Sequence, residues 1–109
     1  MTRLASGIWI SAYLARARAA NLPVYVVSKG DPVAGAIMVK CATLDGQAQA
    51  YQRMWDFETD TRPWREWLSG PEAEVDEAIR TERSRDPDLW VIEVESRGGR
   101  TLLWEEGLT

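Results

Sequence analysis

Asp86-Pro87 is the sequence feature that most constrains this chain. Proline forces the residue before it out of helical geometry, so a helix running up to Arg85 must stop there. The thirteen residues from Arg83 to Glu95 read Arg-Ser-Arg-Asp-Pro-Asp-Leu-Trp-Val-Ile-Glu-Val-Glu. A charged helical pattern ends on the proline, and a run of strand type begins at Leu89. In that run Trp90, Ile92 and Val94 alternate with Val91, Glu93 and Glu95, the period of a strand with two distinct faces. One segment therefore commits the fold to both helix and sheet.

The helix ahead of this stop begins near Pro71, since proline suits a first helical turn and Glu72 and Glu74 favour the positive end of the dipole. Val75, Ala78 and Ile79 form a narrow apolar stripe, so the helix is expected to lie on the surface. Asp76 and Arg80 are spaced for an i,i+4 ion pair of ~0.3 kcal/mol. An earlier helix is predicted over residues 6–20, with Ser6 as its cap and Ile10, Tyr13, Leu14 and Ala17 on the buried face. Asn21 and Pro23 end it.

Strands are predicted over Val24–Ser28, Val33–Thr43 and Ala48–Phe57. Lys29-Gly30-Asp31-Pro32 is turn chemistry. Asp45-Gly46 predicts a two-residue hairpin of type I′. That loop pairs Cys41 with Ala50 and Val39 with Gln52 on a core-facing side. It pairs Lys40 with Tyr51 and Met38 with Arg53 on a partly exposed one. Residues 62–68 fit a strand or a helical turn, and the short connection after Phe57 favours the strand. Gly98-Gly99 predicts a last hairpin returning over Thr101–Trp104. The expected fold is a single α+β domain over residues 1–109, a mostly antiparallel sheet with two helices packed on one face.

Arg3-Leu4, Ser6-Gly7-Ile8-Trp9, Gly35-Ala36 before a strand, and Asp86 to Glu93 together resemble the pattern of the domain of unknown function 1491 family. These are short alphaproteobacterial proteins. The resemblance spans nearly the whole chain and implies a small free-standing bacterial protein. It carries no activity and no catalytic residue.

The chemistry of the side chains narrows the function. Histidine is absent, which removes Ser-His and Cys-His nucleophile pairs and histidine metal sites. Gly98-Gly99 lacks the setting of a phosphate loop. Cys41 stands alone, so no intrachain disulfide forms, and a cytoplasmic setting is expected. The apolar stretch from Gly7 to Leu14 is too short for a bilayer, which takes ~20 residues. A net charge of −4 disfavours nucleic acid, which is bound by neutralising phosphates.

Three groups remain as candidate sites. Arg80, Arg83 and Arg85 are suited to bidentate binding of an anion or a partner's carboxylate, or to pairing with neighbouring acids. Trp64, Trp67 and Trp104 form either a roof over the sheet or an exposed aromatic patch, and six tryptophans are many for 109 residues. Asp86, Asp88, Glu93 and Glu95 are oxygen ligands of the kind Mg²⁺ prefers, though they also read as a helix stop and a solvated strand face. The preferred reading is a non-enzymatic module without cofactors that binds a protein or itself through an aromatic and arginine surface. The alternatives are a small divalent-metal enzyme and a binder of single-stranded nucleic acid.

Overall fold

The structure is a computed structural model that describes residues 4–109; Arg3, which contributes to the resemblance, lies outside them. In chain order the elements are α1 (Ser6–Ala19), β1 (Val24–Ser28), β2 (Ile37–Ala42), β3 (Gln47–Arg53), β4 (Trp64–Pro71), α2 (Glu72–Arg85) and β5 (Trp90–Glu95). The strands form one sheet in the order β1-β5-β2-β3-β4. Every neighbouring pair is antiparallel except β2 with β5, which runs parallel. The α+β class and the mostly antiparallel sheet are as the sequence predicts, and residues 64–71 are indeed strand.

The expectation that both helices share one face is corrected by the packing. Trp9, Ile10, Tyr13 and Ala17 of α1 join Val39, Cys41, Trp90, Ile92 and Val94 in one buried cluster. Val75 and Ile79 of α2 join Met38, Ala48, Ala50 and Val91 in another. The two sets alternate along β2 and β5, and successive strand residues point to opposite faces. The helices therefore cover opposite sides of the sheet. The physical reason is visible in β2, whose residues 38–42 are all buried. A run without polar alternation marks a strand covered on both faces.

The β2–β3 hairpin is one residue out of the predicted register. Ala42 pairs with Ala48, Cys41 with Gln49, Lys40 with Ala50 and Val39 with Tyr51. The loop is Leu44-Asp45-Gly46, closed by the Thr43 amide donating to the Gln47 carbonyl. Leu44 and Gly46 take φ values of 63° and 85°. The Asp45 carboxylate accepts from the Thr43 hydroxyl and the Gln47 amide, which stabilises the wider turn. The slip moves Tyr51 to the face of Cys41. Lys40 and Met38, expected on a partly exposed face, are interior because α2 covers that side of the sheet. Cys41 is buried as expected, because β2 has no exposed face to turn it towards.

Other boundaries shift for local reasons. Residues 32–34 are turn rather than strand, since Asp31 accepts from the amides of Val33 and Ala34. β3 ends at Arg53, short of Phe57. Residues 101–104 form no strand; Thr101 and Leu103 are instead buried under α1, where the Tyr13 hydroxyl donates to the Thr101 carbonyl at 2.7 Å. Ser6 does not cap α1. Ala5 holds the cap position, and the Ser6 hydroxyl donates to the Gly35 carbonyl at 2.5 Å.

Candidate functional site

The sequence features that carry the family resemblance meet around the loop at residues 29–36. The amides of Ser6 and Gly7 donate to the carbonyls of Val33 and Pro32. The Asp31 amide donates to the Asp88 carbonyl, and the Trp90 amide to the Ala36 carbonyl. The Trp90 indole N–H donates to the Asp31 carbonyl at 2.7 Å. Gly30 and Gly35 both lie against the Asp88 carbonyl, so closely that a Cβ on either would collide with it. Glycine is needed here for close backbone approach. The Asp-Pro-Asp stop is thus the floor of a junction that ties α1, β2 and β5 together, which is a structural task.

The predicted site groups are dispersed. Arg80 pairs with Glu77 at 2.7 Å rather than with Asp76, and Arg85 with Glu82 at 3.6 Å, both in the open. Arg83 reaches across to donate to the Lys29 carbonyl at 2.9 Å. Asp86 accepts from the Asp88 amide at the end of α2. Glu95 accepts from the Tyr25 hydroxyl at 2.8 Å. Among the described residues no group of three or more His, Cys, Asp or Glu side chains could hold a metal ion.

The tryptophans separate as well. Trp64 is in the α1-side core, 5.1 Å from the Trp9 ring, with the Arg53 guanidinium 4.8 Å above it. Trp67 is half-buried beside α2, on the other face. Trp104 is exposed and meets Tyr51 edge to face at 5.4 Å. Trp9 and Trp64 share an acceptor. Both indole N–H groups and the Arg53 guanidinium donate to the Leu108 carbonyl, at 3.1, 3.2 and 3.1 Å. That carbonyl fastens residues 102–108 over the α1 side, where Leu102, Leu103 and Leu108 complete the core.

The charged centre of the molecule is Lys40, for which the predicted hairpin register implies a partly exposed face. It is 4% exposed. Its Nζ lies 2.8 Å from Glu72 Oε2, 2.6 Å from Asp76 Oδ1 and 3.1 Å from Glu93 Oε1. β5 brings Glu93 because the parallel register sets it beside Lys40. α2 brings Glu72 and Asp76 because they are one turn apart. Burial by itself works to lower the Lys40 pKa, but the hydrogen bonds the ammonium donates to Asp76, Glu72 and Glu93 outweigh it, and the net shift is upward. An ammonium with all three protons engaged is a structural cation, not a base or a nucleophile. Cys41 is equally unreactive, with its thiol pKa raised by burial.

The most exposed aromatic among the described residues, Phe57, lies where the sequence predicted strand. Between β3 and β4 the chain projects an arm over residues 54–63. Phe57 is 90% exposed, Trp55 is 51% exposed, and Met54 beside them is also exposed. The two rings meet edge to face at 6.3 Å. The arm is ordered by its backbone: the Met54 amide donates to the Pro63 carbonyl at 3.0 Å, and the Asp56 amide to the Thr61 carbonyl at 2.8 Å. Arg65 pairs with the Asp56 carboxylate at 3.1 Å and braces its base. Alternation through Phe57 concealed this, because apolar residues at an exposed tip read like a continuing strand.

Comparison with known proteins gives the family and its fold. The family described as "Protein of unknown function (DUF1491)" matches over residues 4–104. A crystal structure of a DUF1491 family protein from Caulobacter crescentus CB15 superposes with a TM-score of 0.82 at 33% identity, covering 95% of this chain and 96% of that one. An NMR structure of a DUF1491 family protein from the same organism gives 0.82 at 31% identity, covering 96% of each. The solution structure of protein Atu0922 from A. tumefaciens gives 0.72 at 32% identity, covering 87% of each. No curated protein matches the chain. The match runs from Leu4, just ahead of α1, to the exposed Trp104, and on that evidence the chain belongs to the DUF1491 family.

Proposed function

We propose that the protein is a non-enzymatic binding module of the cytoplasm that docks a protein partner through the arm between β3 and β4. The observation that carries this is the exposure of Trp55 and Phe57 on an ordered tip. Burying one such ring stabilises a contact by ~1.5–3 kcal/mol. A tip already held in shape loses little conformational entropy on docking, and paired aromatics of this kind are what interface hot spots are made of. The state of the reactive side chains supports a non-enzymatic role, since Lys40 is neutralised in place and Cys41 is buried. No helix among the described residues is long and apolar enough to cross a membrane.

The test is affinity capture with the whole chain as bait, in parallel with Trp55→Ser/Phe57→Ser. Both residues are exposed, so the double variant should keep the parent's melting temperature. Specific partners should be lost from it. Retention of the same partners by the double variant would reject the arm as the docking site.

A further inference from the structure

The two edges of the sheet are guarded differently. β4 carries Arg65 and Glu66, a bulge opposite Ala50/Tyr51, and Gly70-Pro71 at its end. Charge, bulge and proline are the devices that keep an edge from pairing with another chain. β1, Val-Tyr-Val-Val-Ser, has no charge, and Tyr25, Val26 and Val27 are all exposed. The exposed side chains flank the edge on both faces. Val26 shares the face of Ile92, while Tyr25 shares that of Glu93.

The hydrogen-bond register shows which backbone groups are open. The Glu95 amide donates to the Pro23 carbonyl at 2.9 Å, so residues 23 and 95 form a hydrogen-bonded pair. Val24↔Val94, Tyr25↔Glu93 and Val26↔Ile92 follow in antiparallel register. Hydrogen-bonded and non-hydrogen-bonded pairs alternate in such a ladder. Tyr25 therefore turns its amide and carbonyl towards β5, and Val24 and Val26 turn theirs outwards. Pro23, which has no N–H, faces β5, so the open side lacks no donor there. The regular ladder ends at a bulge between Val26 and Ser28.

We infer that this edge pairs with β1 of a second copy of the chain, antiparallel and about a two-fold axis through Tyr25. That axis sets Val24 opposite Val26 of the second copy and Val26 opposite its Val24. Both outward-facing residues are then used, in about four backbone hydrogen bonds. The occupant is a second copy because the strand is complementary to itself. Tyr25 faces Tyr25, each valine faces a valine, and no like charges oppose one another although each chain carries a net charge of −4. The result is a sheet continuous across both copies. The inference concerns a surface apart from the arm and does not depend on the arm's role.

The geometry makes a residue-specific test available. In a non-hydrogen-bonded antiparallel pair the Cα atoms are ~4.5 Å apart, within the ~4.4–6.8 Å that a disulfide spans. Tyr25→Cys in the full chain should cross-link to itself under mild oxidation. Val27→Cys should not, because it would face residue 23 of the second copy and lie ~13 Å from its own equivalent. The buried Cys41 does not compete. Sedimentation of the parent should show a dimer. Val26→Pro, which removes an outward N–H and no bond within the chain, should be monomeric with an unchanged far-UV spectrum. Trp55→Ser/Phe57→Ser should remain dimeric. A monomeric parent, equal cross-linking of the two cysteine variants, or loss of the dimer in the arm variant alone would overturn the inference.

Discussion

Lys40→Met tests whether the charged centre holds α2 to the sheet. The substitution keeps most of the buried aliphatic stem and removes only the ammonium. Glu72, Asp76 and Glu93 are then left around one point with no cation, each having lain within 3.1 Å of Nζ. Removing one partner of a buried ion pair costs ~3–5 kcal/mol. Here the three carboxylates are 25–40% exposed on their side chains and can turn towards water, so the expected loss is nearer ~2–4 kcal/mol. Against a total of ~5–15 kcal/mol for a domain, that is a large fraction. Urea denaturation at neutral pH measures it. Adding Asp76→Asn to Lys40→Met should recover part of the loss, with a coupling of ~0.5–3 kcal/mol between the two sites. The pH dependence adds a second signature. The Lys40 pKa is raised on folding, so the folded state binds the proton more tightly than the unfolded chain. Its contribution is complete below the unfolded pKa of ~10.4 and is lost as pH rises past it. Tyr13, its pKa raised by burial and by the nearby Cys41, loses stability in the same direction above ~10. Lys40→Met should keep the part of that alkaline loss that Tyr13 and the buried Cys41 thiol contribute, and lose the lysine part. A variant within ~0.5 kcal/mol of the parent, with an unchanged alkaline limb, would refute the reasoning.

Two further outcomes follow from the core. Trp90→Ala removes a buried ring that also anchors the Asp31 carbonyl; it should cost ~3–5 kcal/mol in chemical denaturation and bring the protein close to unfolding. Deleting Leu108-Thr109 takes away the acceptor shared by the Trp9 and Trp64 indoles together with a fully buried leucine side chain. It should lower stability by at least ~2 kcal/mol and red-shift the tryptophan emission as the α1 side opens.

The sequence by itself determined the features that depend on neighbours along the chain. The two helices and their stops, the strand after Asp86-Pro87, and the return of the chain near Asp45-Gly46 rest on proline, capping preference and short-range periodicity, and these act within a few residues. The family resemblance was legible for a related reason: its segments are short and local, although the loop they enclose became apparent only when Ser6, Gly35, Asp88 and Trp90 were seen to meet around it.

Tertiary structure alone decided what depends on partners far away in the sequence. The parallel pairing of β2 with β5 crosses two intervening strands and a helix. No local pattern announces it, yet it places Glu93 beside Lys40. The same pairing makes β2 central, which buries both of its faces and puts the helices on opposite sides of the sheet. The hairpin register turned on whether the loop held two residues or three, a difference settled by the Asp45 carboxylate closing the wider turn. Because strand side chains alternate with a period of two, that one residue exchanged the faces of β3 relative to β2. The lysine read as a surface partner of Tyr51 is instead the buried cation on which three acids converge, because α2 covers its face of β2 and β5 lies beside it.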